Sequence, residues 1–299
     1  MCGVRAAIPL TPPHRRDRIS GLPRARPSSS DGDAYAVCYD RKAMVFKLLS
    51  RKSAPPPAPA AIPAGMRIYA VGDIHGCDLL LDRLLQRIDA DDAARGPATS
   101  QLIFLGDLVD RGPASAQVVE RLIALREQRP DTRFLLGNHE EIFLRAIEND
   151  ARILPLFCRI GGRETGLSYG IPEDVYNAAG YAELAALLRE AVPEHHIAFL
   201  KSFEDMIVIG DYAFVHAGVR PGRALDHQRT SDLRWIRDEF LDFRGQFDKL
   251  IVHGHTITSD VESLPNRIGL DTGAYASGIL SAMGFERDER WVLQAGPEA

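Results

Sequence analysis

The sequence predicts an α/β protein in which two β-sheets pack as a sandwich flanked by helices, with a helical cap inserted in mid-chain. Three observations predict this class. Three units of strand, glycine-rich turn and helix follow one another from Met66, a mostly helical segment occupies residues 150–202, and six short strand-like runs come after it. The 299 residues are 45% hydrophobic and 26% charged, which suits one large core or two modest ones.

Each of the three early units begins with a short apolar run that ends at a glycine. The runs MRIYAVG, QLIFLG and TRFLLG end at Gly72, Gly106 and Gly137. Apolar residues at helical spacing follow each turn. The pattern therefore predicts helices in LLLDRLLQRI after Asp78, over residues 114–127 and over residues 140–147.

The middle and final parts of the chain differ in pattern. Residues 150–202 lack strand-like runs, contain the helical stretch YAELAALLREAV and are interrupted at Gly161 and Gly162. This segment is therefore predicted to form a cap on the core. The short runs that follow predict a second and largely antiparallel half: DMIVIG, YAFVHAG, KLIVHG, NRIGLDTG, ILSAMGF and RWVLQAG.

The first 65 residues form a different kind of segment. They hold 11 of the 36 Lys and Arg residues but 4 of the 41 Asp and Glu residues, and they end in SAPPPAPAAIPAG. Because proline dihedrals are fixed and favour extended chain, residues 1–65 are predicted to be a disordered, basic, Pro-rich tail and linker before a folded domain at 66–299. The apolar patch at 44–49 is either a small docking or membrane-surface helix, or the region where translation begins, at Met44.

Composition also limits location and partners. No run approaches the roughly 18 consecutive apolar residues of a membrane helix. Prolines and arginines interrupt the N-terminal apolar run, so a cytoplasmic protein without a transmembrane segment is expected. The basic tail lacks interleaved aromatic residues, so no specific nucleic-acid binding is expected. Four widely spaced cysteines, without a C-x-x-C pair, indicate neither a zinc knuckle nor a disulfide framework, and the oligomeric state is not indicated.

Polar clusters follow five of the predicted strands. They are GDIHG at 72–76, GDLVDRG at 106–112, GNHE at 137–140, HAG at 216–218 and HGHT at 253–256. Because polar residues at the carboxyl ends of strands assemble ligand sites in α/β proteins, these clusters are expected to converge. Asp, His and Asn side chains suit Mn, Fe or Zn, and one Asp can bridge two ions about 3.5–4 Å apart.

These five motifs, in this order, resemble those of the PPP-type metal-dependent serine/threonine protein phosphatases. Within the calcineurin-like metallophosphoesterase superfamily, the bacterial and phage lambda branch is the most similar. The resemblance covers roughly residues 66–295. It implies two mixed β-sheets in an α/β/β/α sandwich, a catalytic domain at 66–299 and a cap insertion at about 150–202.

The resemblance also implies a centre of two divalent metal ions, with Mn²⁺ expected first and Fe or Zn as alternatives. Asp73 and His75 match ligands of the first metal, and Asp107 matches the bridging carboxylate. The positions that match ligands of the second metal are Asn138, His216 and His255.

Four further residues match the catalytic positions of the family. His139 matches the general acid, and Asp110 matches the carboxylate that orients its imidazole. Arg111 and Arg237 match arginines that bind the phosphoryl group. The mechanism implied is direct attack by a hydroxide that bridges the metals, without a covalent phosphoenzyme.

The substrate class is more open than the reaction type. GNHE together with an intact GDLVDRG favours a phosphoprotein substrate carrying phosphoserine or phosphothreonine, with phosphotyrosine also open. The alternative is a diadenosine tetraphosphatase or another small-molecule phosphoesterase. A binding protein that has lost catalysis is disfavoured, because none of the expected ligands is missing.

Several other polar residues are assigned structural or undecided roles. His253 is expected to be structural or to support the ligands, and Cys77 to be a small buried thiol. His195 and His196 are expected at the surface. For Arg220, a substrate-facing role and a purely structural one are equally weighted.

Overall fold

A computed structural model of the protein describes residues 59–148, 150 and 152–296. The predicted tail up to residue 58, with the apolar patch at 44–49, lies outside the described residues. Within the described part of the chain, no helix is both long enough and apolar enough to cross a membrane.

Strands and helices alternate in the first part of the described chain, helices alone follow in the middle, and strands predominate in the last part. The strands of the described residues are β1 (Met66–Val71), β2 (Thr99–Phe104), β3 (Arg133–Phe134), β4 (Met206–Ile209), β5 (Tyr212–Val215), β6 (Leu250–His253), β7 (Glu262–Ser263), β8 (Arg267–Gly269), β9 (Leu280–Glu286) and β10 (Glu289–Ala295). The helices are α1 (Asp78–Ala94), α2 (Ser115–Gln128), α3 (Asn138–Ile147), α4 (Leu154–Arg159), α5 (Gly162–Ser168), α6 (Glu173–Ala178), α7 (Tyr181–Ala191), α8 (Glu194–Lys201), α9 (Thr230–Trp235), α10 (Asp238–Leu241) and α11 (Ala274–Ser277).

The strands form two five-stranded mixed sheets. The first has the order β10-β9-β1-β2-β3, in which β1, β2 and β3 are parallel and β9 and β10 add antiparallel strands. The second has the order β4-β5-β6-β8-β7, with a parallel centre of β5, β6 and β8 and antiparallel strands at both edges.

The prediction of a separate, largely antiparallel second half is therefore wrong in two respects. The centre of the second sheet is parallel, and the last two strands extend the first sheet instead. Strand β9 is buried along nearly its whole length, which suits its position between β1 and β10. A hairpin of two apolar strands carries no sequence signal for the sheet edge that it joins, so the pattern alone could not assign it.

The two sheets pack face to face, and helices cover their outer faces. In β1, Ile68 and Ala70 belong to the core between the sheets, whereas Tyr69 and Val71 belong to the core beneath α1 and α2. Phe240 of α10 lies in a smaller core on the outer face of the second sheet. The predicted α/β/β/α sandwich is confirmed.

The cap predicted between the halves of the chain is largely helical. Helices α4 to α8 occupy it, and their apolar faces join the core of the first sheet. Gly161 separates α4 from α5 with a φ of 110°, a left-handed value that glycine adopts without steric cost. The interruption predicted at Gly161 and Gly162 is thus a tight turn between two helices.

The packed chain begins before Met66, inside the segment predicted as linker. The N–H of Ile62 donates to the carbonyl of Arg287 at 2.8 Å, and the N–H of Asp211 donates to the carbonyl of Ala61 at 2.9 Å. The Ile62 side chain is only 3% exposed and joins the core between the sheets. The boundary predicted at residue 66 therefore falls after the first packed residues, because a Pro- and Ala-rich composition hides a single anchoring isoleucine.

We predict that Ile62→Ala lowers the free energy of unfolding by about 2–3 kcal/mol, since it removes buried methyl groups from the space between the sheets. Urea unfolding midpoints measure the change. The matched control is Leu79→Ala, whose side chain is 74% exposed and which should shift stability by less than about 0.5 kcal/mol. Equal effects of the two substitutions would contradict the assigned packing of Ile62.

Candidate active site

The predicted polar clusters converge at one edge of the sandwich. Asp73 and His75 follow β1, Asp107 to Arg111 follow β2, and Asn138 and His139 begin α3 just after β3. From the second sheet, His216 follows β5 and His255 follows β6. The carboxyl ends of parallel strands supply all five segments, as the fold rule for ligand sites in α/β sheets predicts.

The loops that carry these side chains have unusual backbone geometry. Positive φ angles between 46° and 71° occur at His75, Asp107, Asp110, Arg111 and His255. Non-glycine residues adopt this region at an energetic cost, and such residues cluster at functional sites. Gly137 permits one close approach, because a Cβ there would lie 2.2 Å from Oδ1 of Asp107.

The Asp107 carboxylate is shared by two groups of potential metal ligands. One group contains His75, Asp107 and His139, and the other contains Asp107, His216 and His255. Oδ1 of Asp107 lies 3.3 Å from Nε2 of His216, and Oδ2 lies 3.6 Å from Nε2 of His75. Burial alone would raise the pKa of Asp107, but His216 and His139 hold it well below its usual range. Asp107 is therefore an anion placed between two sets of imidazoles.

Backbone carbonyls orient two of these imidazoles. Nδ1 of His75 lies 2.8 Å from the carbonyl of Val109, and Nδ1 of His216 lies 2.8 Å from the carbonyl of Leu105. Since a carbonyl only accepts, each Nδ1 carries a proton and donates it. Burial lowers the pKa of His75 to about 3, so that imidazole is neutral and its Nε2 presents a lone pair toward Asp107.

Other donor atoms also fit a cation here. Nε2 of His255 and Oδ2 of Asp271 are buried and have no hydrogen-bond partner among the described residues. Oδ1 of Asn138 lies 3.0 Å from Nε2 of His216, which belongs to the same group of potential ligands as His255. Because neutral imidazoles, carboxylates and an amide oxygen are the ligands of Mn, Fe and Zn, this donor set could hold divalent metal ions.

Asp73 lies in the same cluster with a different partner. Both of its carboxylate oxygens accept from the backbone N–H of His255, at 2.9 and 3.1 Å. Burial, with Asp271 and Asp107 nearby, raises its pKa well above the usual range. Asp73 thus adds a negative charge that is costly in the absence of a cation.

His139 is paired with Asp110, as the motifs predicted. Nδ1 of His139 lies 2.7 Å from Oδ2 of Asp110, and Oδ1 of Asp110 accepts a 2.6 Å bond from the Thr165 hydroxyl in the cap. Burial would lower the pKa of His139, but Asp107 and Asp110 raise it above its usual value. Asp110 accepts the proton of Nδ1, whereas Nε2 faces a guanidinium nitrogen of Arg111 at 3.0 Å. Because a guanidinium only donates, Nε2 accepts here, and it can carry a proton only when Arg111 turns away from it.

The Arg111 guanidinium faces both imidazoles of the first group. Its Nη1 lies 2.9 Å from Nε2 of His75, and its Nη2 lies 3.0 Å from Nε2 of His139. The Arg111 N–H donates to the carbonyl of Gly161 in the cap at 3.0 Å, and a Cβ on Gly161 would lie 2.7 Å from that nitrogen. The cap therefore fixes the backbone that carries this arginine.

Arg237 lies outside this buried cluster. It is exposed and donates to the Thr256 hydroxyl at 3.2 Å, one residue from His255. Arg220 makes ion pairs with Asp232 at 2.8 Å and with Glu239, so the structure favours a structural role for this arginine.

Two other predicted residues have structural surroundings. His253 belongs to neither His/Asp group; its Nδ1 contacts the carbonyl of Gly254 and its ring packs against Phe240. The Cys77 thiol lies 3.5 Å from the carbonyl of His75, and burial raises its pKa to about 11, which makes it a poor nucleophile.

Three neighbours of the cluster were not predicted from the sequence. The Tyr275 ring, 40% exposed, stands edge-on to His75 with ring centroids 5.4 Å apart, and the Arg111 guanidinium lies 4.9 Å from its centroid. Thr165 contacts Asp110 from the cap, and Asp271, in the loop after β8, lies near enough to Asp73 to raise the pKa of that carboxyl group. No local signal marks them, because their contacts join segments that are distant in sequence.

The fourth residue of GNHE also has a structural role that the motif alone does not reveal. The Glu140 carboxylate accepts from the N–H groups of Asp107, Leu108, Val109 and Gly137, at 2.7–3.2 Å. It therefore holds the turn after β2 against the start of α3. A negative charge in the first turn of a helix is also favourable for the helix dipole.

The fold and this centre define the class of protein: a metal-dependent phosphoesterase, built on an α/β/β/α sandwich with a shared carboxylate at the ends of its parallel strands. Residues 66–293 match the family of calcineurin-like phosphoesterases, and the chain belongs to that family.

Curated relatives fall into two groups by name. The chain is 28% identical to the asymmetrical bis(5'-nucleosyl)-tetraphosphatase PrpE of Anoxybacillus flavithermus, over 73% of this chain and 90% of the relative. It is 33% identical to a symmetrical bis(5'-nucleosyl)-tetraphosphatase of Janthinobacterium, over 73% and 92%. It is also 28% identical to serine/threonine-protein phosphatase 2 of Salmonella typhimurium, over 72% and 90%.

A solved structure agrees on the fold. A protein provisionally described as a diadenosine tetraphosphatase superposes with a TM-score of 0.53 and 23% identity, over 80% of this chain and all of that one. The superfamily expected from the motifs is therefore correct, whereas membership of the protein phosphatase branch does not follow from these similarities.

We predict that Glu140→Gln lowers the free energy of unfolding by about 2–4 kcal/mol at pH 8, because the amide turns its NH₂ group toward backbone donors. Burial raises the pKa of Glu140 to about 7, so the carboxylate is ionised at that pH. Thermal or urea unfolding measures the loss.

Glu148→Gln serves as the control, because Glu148 is exposed and its ion pair with Lys201 contributes less than about 1 kcal/mol. A Glu140→Gln variant as stable as this control would mean that Glu140 does not hold the two loops together.

Proposed function

We propose that the protein hydrolyses bis(5'-nucleosyl) tetraphosphates or closely related dinucleoside polyphosphates. The observation that carries this proposal is the similarity to two such hydrolases over nearly their whole lengths, with a buried His/Asp centre in this chain. This ranking reverses the preference for a phosphoprotein that GNHE and GDLVDRG suggested. Those motifs contact the phosphoryl group, which both substrate classes share, so they cannot separate the two.

The centre is proposed to hold two divalent cations. Asp73 and His75 would bind the first, Asp107 would bridge, and the second would bind the remaining three residues, Asn138, His216 and His255. The shared position of Asp107 and the inward Nε2 atoms support this assignment. When bound, the cations would activate water and neutralise charge on the phosphoryl oxygens. Mn²⁺ is the first choice for activity in vitro, with Fe and Zn suited to the same ligands.

The protein side chains are proposed to do three things. Asp110 keeps the His139 ring in place from Nδ1. Once Arg111 turns from Nε2 to the phosphoryl group, His139 can carry a proton at Nε2 and give it to a departing oxygen that needs one. Arg111 binds phosphoryl oxygens with its planar fork. Arg237, at the exposed edge of the centre, adds a second positive charge for the outer phosphates of an extended substrate.

A phosphoprotein is the second candidate substrate, supported by the similarity to the Salmonella phosphatase. Full-length protein should be stripped of metal, resupplied with Mn²⁺ and given diadenosine tetraphosphate, a phosphoserine peptide and a phosphotyrosine peptide. Metal-dependent preference for the dinucleotide supports the proposal, and preference for either peptide overturns it. The products then define the subclass, because two ADP molecules indicate symmetrical cleavage, whereas ATP with AMP indicates asymmetrical cleavage.

His139→Ala distinguishes the substrates by their leaving groups. We expect this variant to lose roughly 10²–10⁴-fold in kcat on the phosphoserine peptide, whose alkoxide needs a proton to depart. The loss on diadenosine tetraphosphate should be much smaller, because a nucleotide phosphate leaves readily as an anion. Equal losses on both substrates would contradict the role of His139 as a proton donor to the leaving oxygen.

Tyr275 is expected to favour the dinucleotide, since an exposed ring beside the phosphate-binding arginine can stack on a base. We predict that Tyr275→Ala raises KM for diadenosine tetraphosphate about tenfold, the value of one stacked base, while KM for the phosphoserine peptide stays within about twofold. Tyr275→Phe keeps the ring and should behave like the unaltered protein. A proportional KM increase on both substrates would assign Tyr275 to the support of Arg111 instead.

A further inference from the structure

A second cluster of potential metal ligands lies where α8 of the cap contacts α2 of the core. Glu120 belongs to α2 in the core, and His195 and His196 belong to the first turn of α8 in the cap. One carboxylate oxygen, Oε2 of Glu120, lies 3.2 Å from Nε2 of His195 and 2.7 Å from Nε2 of His196. All three donor atoms lie within 4.8 Å of one another.

The sequence did not indicate this arrangement. Both histidines were expected at the surface, and for His196 that expectation is wrong, because the residue is only 3% exposed. Side chains of consecutive residues in a helix usually point in different directions. Here the rings of His195 and His196 both turn toward the same oxygen, and their centroids lie 4.5 Å apart. The carboxylate on the facing helix is the group that brings them together.

The chemistry of the three donors suits a borderline transition metal. Two imidazole nitrogens and one carboxylate oxygen form the ligand set that Zn²⁺ takes in three-residue sites, with water in the fourth position. In a tetrahedral site, ligand atoms lie roughly 3.3 Å apart. The separation of 3.2 Å between Glu120 and His195 matches this value, whereas that of 2.7 Å between Glu120 and His196 is a hydrogen-bond distance that would lengthen when the ion replaces the shared proton.

The buried His196 imidazole also has a hydrogen-bond partner on the side away from Glu120. Nδ1 of His196 lies 2.9 Å from the hydroxyl oxygen of Tyr169, at the end of α5. When Nε2 binds a metal, the ring proton resides on Nδ1 and is donated to that oxygen. Metal-ligating histidines almost always make such a contact, which fixes both the tautomer and the ring orientation.

The site is accessible. Glu120 and His195 are exposed, and an open hollow reaches the cluster between Glu120, Tyr169 and His196. A cation can therefore enter from solvent, and water can complete its coordination. Burial lowers the pKa of His196, so its imidazole is neutral and ready to bind at pH 7.

We propose that Glu120, His195 and His196 form a further metal site that takes Zn²⁺, sharing no residue with the His/Asp centre. The ion would link α2 of the core to α8 of the cap. The same cap supplies Thr165 to Asp110 and the Gly161 carbonyl to Arg111. Zinc at this position would therefore stabilise the cap that supports the candidate active site.

The test counts zinc in full-length protein. Metal-stripped unaltered protein and the variants Glu120→Gln and His195→Ala are equilibrated with a slight excess of Zn²⁺, desalted, and analysed for bound zinc per chain. We expect each variant to bind one zinc fewer than the unaltered protein. The control Glu194→Gln removes a neighbouring exposed carboxylate of α8 and should bind the full amount. Equal zinc content in all four proteins would overturn the proposal.

Two further measurements separate a metal site from a simple hydrogen-bonded triad. In crystals grown with Zn²⁺, an anomalous difference peak is expected between Glu120 and the two rings, and its absence while the His/Asp centre is loaded would overturn the proposal. Tyr169→Phe should weaken zinc binding at this site about tenfold in competition with a chromophoric chelator. An unchanged affinity would mean that the Tyr169 contact does not prepare His196 for a metal.

Discussion

The rest of the site depends on the buried negative charge of the Asp107 carboxylate, which must be compensated by neighbouring groups. It lies in a loop with positive φ, beneath a glycine that leaves room for it, and the N–H of His139 donates to it at 3.1 Å. Asp73, Glu140 and Asp271 bring further buried carboxyl groups to the same place. Such a concentration of negative charge is unfavourable without compensation. The Arg111 guanidinium supplies part of that compensation, and the inward imidazoles and carboxylates form a donor set suited to cations.

The sequence identified this centre because its residues obey a local rule. Short polar motifs directly after apolar runs must lie at strand ends, and parallel strands bring such ends together, so the motifs alone place Asp73, Asp107 and His216 in one site. The sandwich could be predicted for the same reason. The pairing of β9 with β1 could not, because it depends on which sheet edge is open, and that is a property of the assembled fold.

Other features escaped prediction because they depend on contacts between distant segments. Ile62 looks like part of a linker until β5 and the β9–β10 hairpin provide the surface on which it packs. His196 looks like a surface residue until Glu120 faces it from another helix. The motifs indicated a phosphoryl-transfer centre more clearly than a substrate, since groups that touch phosphorus are the same for an ester and an anhydride. The exposed residues at the rim, Tyr275 and Arg237, are where we propose that the two substrate classes are distinguished.

The cap has a consequence for how such enzymes diversify. Segments inserted between core elements vary more readily than the core and often carry binding residues. Here, however, Thr165 of the cap hydrogen-bonds the carboxylate that holds His139, and Gly161 packs against the backbone of Arg111. Exchanging the cap between two members of the family would therefore remove the Thr165 contact to Asp110, which affects the pKa of His139, and the Gly161 contact that fixes the backbone of Arg111. A chimera that keeps these two contacts should retain chemistry while changing substrate, whereas one that breaks them should lose both together.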